Sequence, residues 1–126
     1  MRFLLDSTLL IDHANRDAEA MRLLRSLVED GHDLFTCDVV TCESLSKGDS
    51  NDTRHLETLL DALDYVALTP TAARAAGVAR RERRIAGGRR SLGDALIAAL
   101  ANELGATVIT RNTSDFARQG VPTLTY

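Results

Sequence analysis

Short apolar runs alternate with longer stretches in which apolar residues recur every three or four positions, and this alternation persists from residue 3 to residue 124. Residues 3–5 (Phe-Leu-Leu) form a brief apolar run that stops at Asp6, the pattern of a strand buried on both faces of a parallel sheet. Ser7 or Thr8 can cap a helix reaching about Asn15. From 17 to 30, Met21, Leu24, Leu27 and Val28 repeat at helical spacing, and Gly31 closes the segment. A second strand fits 33–36. Asp38 can then cap a helix carrying Val39, Val40, Glu43 and Leu45 and ending near Gly48. Asn51 or Asp52 starts another, with Leu56, Leu59, Leu60 and Leu63 on its apolar face.

Residues 65–68 read as a third strand, and Pro70 opens a long Ala- and Arg-rich helix that Gly87 and Gly88 break. The segment 92–104 is the strongest helix and ends at Gly105. Residues 106–109 give a fourth strand and 121–124 a fifth. Short apolar strands separated by helices predict a three-layer α/β/α sandwich around a parallel sheet of about five strands, in one domain spanning 1–126.

Composition changes this picture little: 44% apolar and 26% charged residues are ordinary for a globular chain. Aromatics at 4%, with no Trp, imply an aliphatic core. The two cysteines, Cys37 and Cys42, match neither a zinc site nor a disulfide framework and read as small buried hydrophobes. No apolar run nears the ~20 residues of a membrane span, and the N-terminus does not resemble a secretory signal. A cytoplasmic protein is expected. Charge is more informative. Residues 74–90 hold seven arginines and one glutamate, a local +6 in a chain of net −3.

In parallel sheets ligands bind beyond the carboxyl ends of the strands. Asp6 directly follows the first strand, and Asp115 comes soon after the fourth; each is open to a helix-capping or a functional reading. Asp94 sits on a nearly all-apolar helix, on one stripe with Ile97, Ala98 and Ala101. An inward carboxylate is costly unless it is paired or bound to a cation, and the competing account is a first-turn anion favouring the helix dipole by ~0.3–1 kcal/mol. Glu43 repeats the anomaly one turn after Val39 and Val40, with a solvated rim as its alternative. Four carboxylates from four elements, with no nearby His, make an all-oxygen donor set suited to Mg²⁺, for which Mn²⁺ substitutes. Such a cation activates water and neutralises charge on a phosphoryl group. The +6 segment offers an attractive surface to an anionic substrate.

The segments Leu-Leu-Asp-Ser-Thr-Leu-Leu-Ile-Asp (4–12), Cys-Glu-Ser-Leu (42–45), Ser-Leu-Gly-Asp-Ala-Leu-Ile-Ala-Ala (91–99) and Thr-Arg-Asn-Thr-Ser-Asp-Phe (110–116) resemble the PIN domain, and within it VapC toxins of bacterial toxin–antitoxin pairs. The resemblance runs through the whole chain in order. It implies a magnesium-dependent endoribonuclease, a homodimer, inhibited by a cognate VapB antitoxin. The family's acidic positions fall on Asp6, Glu43, Asp94 and Asp115, and its polar position three before the last acid on Asn112. Many relatives have Asn two residues after the first acid, where this chain has Thr8, whose hydroxyl can bond a metal-bound water.

Other residues receive plainer readings. Asp12 is expected as a helix-surface charge, and His13, His32 and His55 as non-catalytic. Arg80, Arg81, Arg83, Arg84, Arg89 and Arg90 suit RNA binding or antitoxin docking, or else a solvated helix face. A haloacid-dehalogenase phosphatase would need an Asp at position 8, and a receiver domain a Lys after a late strand, whereas the sole Lys47 lies mid-chain. A catalytically silent PIN-like binding module remains as the alternative of a different class.

Overall fold

A computed structural model of the chain describes residues 1–47 and 53–126. The expected helix end near Gly48 and the helix start at Asn51 or Asp52 lie outside the described residues. Chain order is β1 (Arg2–Leu5), α1 (Ser7–Ala14), α2 (Ala18–Glu29), β2 (Asp33–Cys37), α3 (Asp38–Lys47), α4 (Thr53–Ala62), β3 (Asp64–Val66), α5 (Pro70–Ile85), α6 (Leu92–Leu104), β4 (Thr107–Ile109), α7 (Thr113–Ala117) and β5 (Thr123–Leu124). The five strands form one fully parallel sheet in the order β3-β2-β1-β4-β5. Helices α1 to α4 pack on one another, as do α5 to α7, and α3 meets α6. The architecture is the three-layer α/β/α sandwich expected.

The apolar run of β1 is buried because helices cover both sides of the central strand. Leu4, Leu5, Leu9 and Leu10 are all fully buried, each worth about 1.5–3 kcal/mol of transfer free energy. The core is mainly aliphatic as composition implies, but Phe3 and Phe116 belong to it, and Phe116 heads the largest fully buried side chains.

Local chemistry sets the helix ends. Asp17, Thr69 and Ser91 cap α2, α5 and α6 by accepting from Ala20 N, Ala72 N and Asp94 N respectively. Gly105, at φ 63°, closes α6 in the left-handed conformation that an L side chain resists.

Several expectations need correction. The α1 cap is Asp6, not Ser7 or Thr8; its carboxylate accepts from Ser7 N at 2.8 Å. Asp38 begins α3, but its oxygens accept from Tyr65 Oη and Leu68 N, across to β3 and the segment after it. β3 ends at Val66, opposite Cys37 at the end of its partner β2, and does not run to 68. Ala106 leaves β4 because its N–H completes the C-terminus of α6 on Ala101 O. Cys37 is buried as expected, whereas Cys42 is exposed. Met21 and Val28 are exposed as well, leaving Leu24 and Leu27 to carry the buried face of α2.

The chain leaves β1 toward β2 on one side and leaves β4 toward β5 on the other. The topology therefore reverses between β1 and β4, and a crevice opens at their carboxyl ends, where open α/β sheets bind ligands.

Candidate functional site

Asp6 and Thr110 stand side by side at that crevice, one residue beyond the paired Leu5 and Ile109. Asp6 N donates to Ile109 O at 3.0 Å, which continues the ladder to its end. The Asp6 side chain is only 4% exposed. Its Oδ1 takes the cap bond from Ser7 N, and its Oδ2 accepts from Thr110 Oγ1 at 2.7 Å and Thr8 Oγ1 at 3.3 Å. Both hydroxyls are held in turn: Thr110 Oγ1 accepts from Asn112 N at 2.9 Å, and Thr8 Oγ1 from Arg111 N at 3.3 Å. A buried carboxylate is costly unless hydrogen-bonded, and this double relay supplies the bonds.

Asp94 enters from the first turn of α6, on the stripe it shares with buried Ile97, Ala98 and Ala101. Burial is the largest cause of a raised pKa at Asp94, and the negative charges of Asp6, Glu43 and Asp115 add to it, while the Ser91 hydroxyl opposes. Each of the other three sequence-predicted acids thus acts on Asp94. Asn112 bridges two of them, its Nδ2 donating to Asp115 Oδ2 at 2.8 Å and lying 3.5 Å from Asp94 Oδ2. It thus spends its side chain on the acids and makes no cap bond for α7. Asp115 itself is exposed in the first turn of α7.

Glu43 arrives from α3 over the N-terminus of α6. Its Oε2 lies 3.4 Å from Lys47 Nζ, while its Oε1 is buried with no hydrogen-bond partner. Gly93 makes room for it: a Cβ at that position would stand 2.8 Å from Glu43 Oε1. An orphaned buried carboxylate oxygen, on an acid whose charge acts on Asp94, belongs to a donor set that fits a hard cation. Among the described residues no three His, Cys, Asp or Glu side chains already stand at ligating spacing.

The arginines line two cavities. Arg83, Arg89, Arg90 and Arg118 line a cleft of about 70 Å³ together with Asp94 and Asp115. Arg80, Arg81 and Arg84, with Arg89 and Arg90 again, line a neighbouring cavity of about 350 Å³. Asp12 stands apart from the acids, accepting from Arg111 Nε at 2.8 Å and Tyr126 Oη at 2.6 Å. The histidines also lie elsewhere, His13 and His55 in a groove beside α4 and His32 edge-on to Phe3.

Sequence reasoning missed Thr110 and Arg111. Arg111 also reaches Asp17 at 3.2 Å and covers the Tyr126 ring at 4.3 Å, pinning the segment that carries Asn112 to α1 and the C-terminus. The only available signal was their position in Thr-Arg-Asn-Thr-Ser-Asp-Phe, immediately after an apolar run.

Comparison with known proteins agrees with this geometry. The PIN domain family matches residues 3–121. Ribonuclease VapC19 of Mycobacterium tuberculosis is 30% identical over 115 residues, covering 90% of both chains. Among solved structures, VapBC2 from Rickettsia felis, bound to a promoter DNA fragment, superposes with a TM-score of 0.84 at 20% identity, covering 100% of this chain and 99% of that one. DNA-bound VapBC from Salmonella typhimurium gives 0.82 at 21% identity, covering 99% and 98%. Its length, its fold and its likeness to a VapC relative agree: this chain belongs to the PIN-domain family, on its VapC branch.

Proposed function

We propose that this protein is a Mg²⁺-dependent endoribonuclease, the toxin of a VapBC-type pair, and that Asp6, Glu43, Asp94 and Asp115 hold the cation, with Mn²⁺ able to replace it. The observation that carries the reading is Glu43 Oε1, a buried carboxylate oxygen without a partner, whose charge acts with those of Asp6 and Asp115 on Asp94. A binding module has no use for such an arrangement, since its repulsion and desolvation weaken the fold. The relative named a ribonuclease supports RNA as substrate. The VapBC complexes among the structural neighbours support a VapB-type antitoxin as partner. The homodimer is part of the same reading, and exposed Val78, Ile85 and Leu92 offer apolar surface for it.

A bound divalent cation supplies Lewis-acid activation of water and charge neutralisation at the scissile phosphoryl group. The chain's own residues do the rest. Ser7 N and Thr110 Oγ1 fix both oxygens of Asp6, so its carboxylate is set before substrate arrives. Asn112 spaces Asp115 from Asp94 and donates to both. Thr8 acts through Asp6, to which its hydroxyl donates. Arg83, Arg89 and Arg90 face the acids across the cleft and attract the phosphate that those acids alone would repel. The chain has no helix among the described residues long and apolar enough to cross a membrane.

The test is cleavage of total RNA by purified protein in Mg²⁺, in chelator, and by Asp6→Asn and Asp94→Asn. Cleavage in Mg²⁺ alone, lost in both variants, is expected. Undiminished cleavage by either variant removes that residue from the site; no cleavage by wild type under any divalent cation favours the silent binding module.

A further inference from the structure

The cavity beside the acid-lined cleft has an unusual wall. It is lined by arginines and two glycines, Gly77 and Gly88, with no aliphatic, aromatic or acidic side chain. Arg89 and Arg90 line both cavities, so the two spaces adjoin at these residues. Among the described residues, none of Arg80, Arg81, Arg83, Arg84, Arg89 and Arg90 forms an ion pair with a carboxylate; the salt bridges there are Lys47–Glu43 and those of Arg111. In the larger cavity, whose lining holds no acid, the guanidinium groups repel one another, and the repulsion is relieved when an anion enters.

The wall is also held in shape. Arg80 Nε donates to Arg90 O at 3.2 Å, tying α5 to the end of the loop before α6. Gly88 N donates to Arg83 O at 2.9 Å. A Cβ on Gly88 would lie 2.3 Å from Arg83 Nε, so the guanidinium rests against bare backbone at the mouth of the inner cleft.

We propose that these adjoining cavities form a track for single-stranded RNA, with Arg80, Arg81 and Arg84 seating the backbone phosphate of a nucleotide that flanks the cleaved one. The inference rests on the ribonuclease reading above and adds where the substrate backbone runs. An acidic protein segment fits the wall less well, because protein docking is anchored by apolar and aromatic side chains in pockets, and this wall offers none. The inner cleft is small, about 70 Å³, and a single strand can turn one phosphate into it more readily than a paired helix can. Guanidinium forks suit phosphate oxygens in paired contacts.

The test is fluorescence anisotropy with a fluorescein-labelled 15-nucleotide oligouridylate in chelator, from 50 to 200 mM KCl. The proteins are wild type, Arg80→Gln/Arg84→Gln, Arg80→Lys/Arg84→Lys, and Arg22→Gln/Arg25→Gln on α2 as control. Giving up one phosphate flattens the slope of log K against log salt by about 0.7 for a single strand, which corresponds to about eightfold weaker binding at 50 mM salt. That result in the Gln pair, with the Lys pair restoring the slope and the control unchanged, is expected. An unchanged slope in the Gln pair, or equal loss in the Lys pair, overturns the proposal. So does oligoglutamate of the same length competing better than unlabelled oligouridylate, which reassigns the wall to an acidic protein. Binding in chelator involves no cleavage, so a protein that binds as expected but never cuts RNA refutes the ribonuclease reading and leaves the track standing.

Discussion

Thr110→Val is a nearly isosteric change that removes one oxygen from the floor of the site. Thr110 is fully buried, and its hydroxyl makes two bonds: it donates to Asp6 Oδ2 at 2.7 Å and accepts from Asn112 N at 2.9 Å. A hydrogen bond to a charged group is worth about 1.5–3 kcal/mol, and an amide left without its acceptor costs about 1 kcal/mol or more when shielded from water. Asn112 is only half-buried, so water recovers part of the second term. Asp6 Oδ2 keeps the longer bond from Thr8, which recovers part of the first. The expected loss is about 2–4 kcal/mol, equivalent to roughly 8–16 °C in Tm for a chain of this length. Thr110→Ser keeps the hydroxyl and gives up a buried methyl, so it should lose only about 1 kcal/mol. Urea unfolding in chelator at neutral pH, with midpoints compared at constant m, measures both. A Val variant within about 0.5 kcal/mol of wild type, or a Ser variant as unstable as the Val variant, would refute the role assigned to this hydroxyl.

Two further outcomes follow from the acids. Asp94 has a pKa raised above the ordinary 3.8, so what it contributes to stability is fully present below that value and is lost as pH rises through the raised one. In chelator at pH 7, Asp94→Asn should therefore melt higher than wild type, with the gap closing toward pH 4; a variant that melts lower at pH 7 would mean that the helix dipole outweighs burial and repulsion. Gly93→Ala should keep or gain stability, since Ala favours helix by up to ~1 kcal/mol, yet lose about tenfold or more in Mn²⁺ affinity by displacing Glu43. Calorimetric titration that finds the wild-type Mn²⁺ affinity would show that Glu43 is not a ligand.

Asp94 and Glu43 were legible in the sequence because a carboxylate on an apolar helix stripe contradicts its surroundings, and that contradiction survives without coordinates. Asp6 was legible from its place at the end of a buried strand, although its role as helix cap and its proposed role as a cation ligand could not be separated by pattern. Thr110 was not legible. A hydroxyl after a strand is commonplace, and its value comes from β4 lying beside β1, a strand order that periodicity does not encode. Five-residue α7 is too short to show a helical period, so the link between Asn112 and Asp115 was expected from family likeness alone. The arginine segment announced itself by charge. Which arginines face Asp94 depends on how α5 packs against α6, and that packing divides them between two cavities. Cys42 read as buried because free cysteines usually are, but helical phase turns it outward beside Glu43.

The proposal to be tested is that four carboxylates, Asp6 just after β1 and one each from α3, α6 and α7, act together on one divalent cation. Anomalous diffraction from crystals soaked in Mn²⁺ tests it directly. The account predicts a peak in the crevice between β1 and β4, with oxygens of Asp6, Asp94, Glu43 or Asp115 about 2.1 Å away, and a diminished peak in Asp94→Asn crystals. A crevice without a peak at saturating Mn²⁺, or a peak bound by other residues, would contradict it.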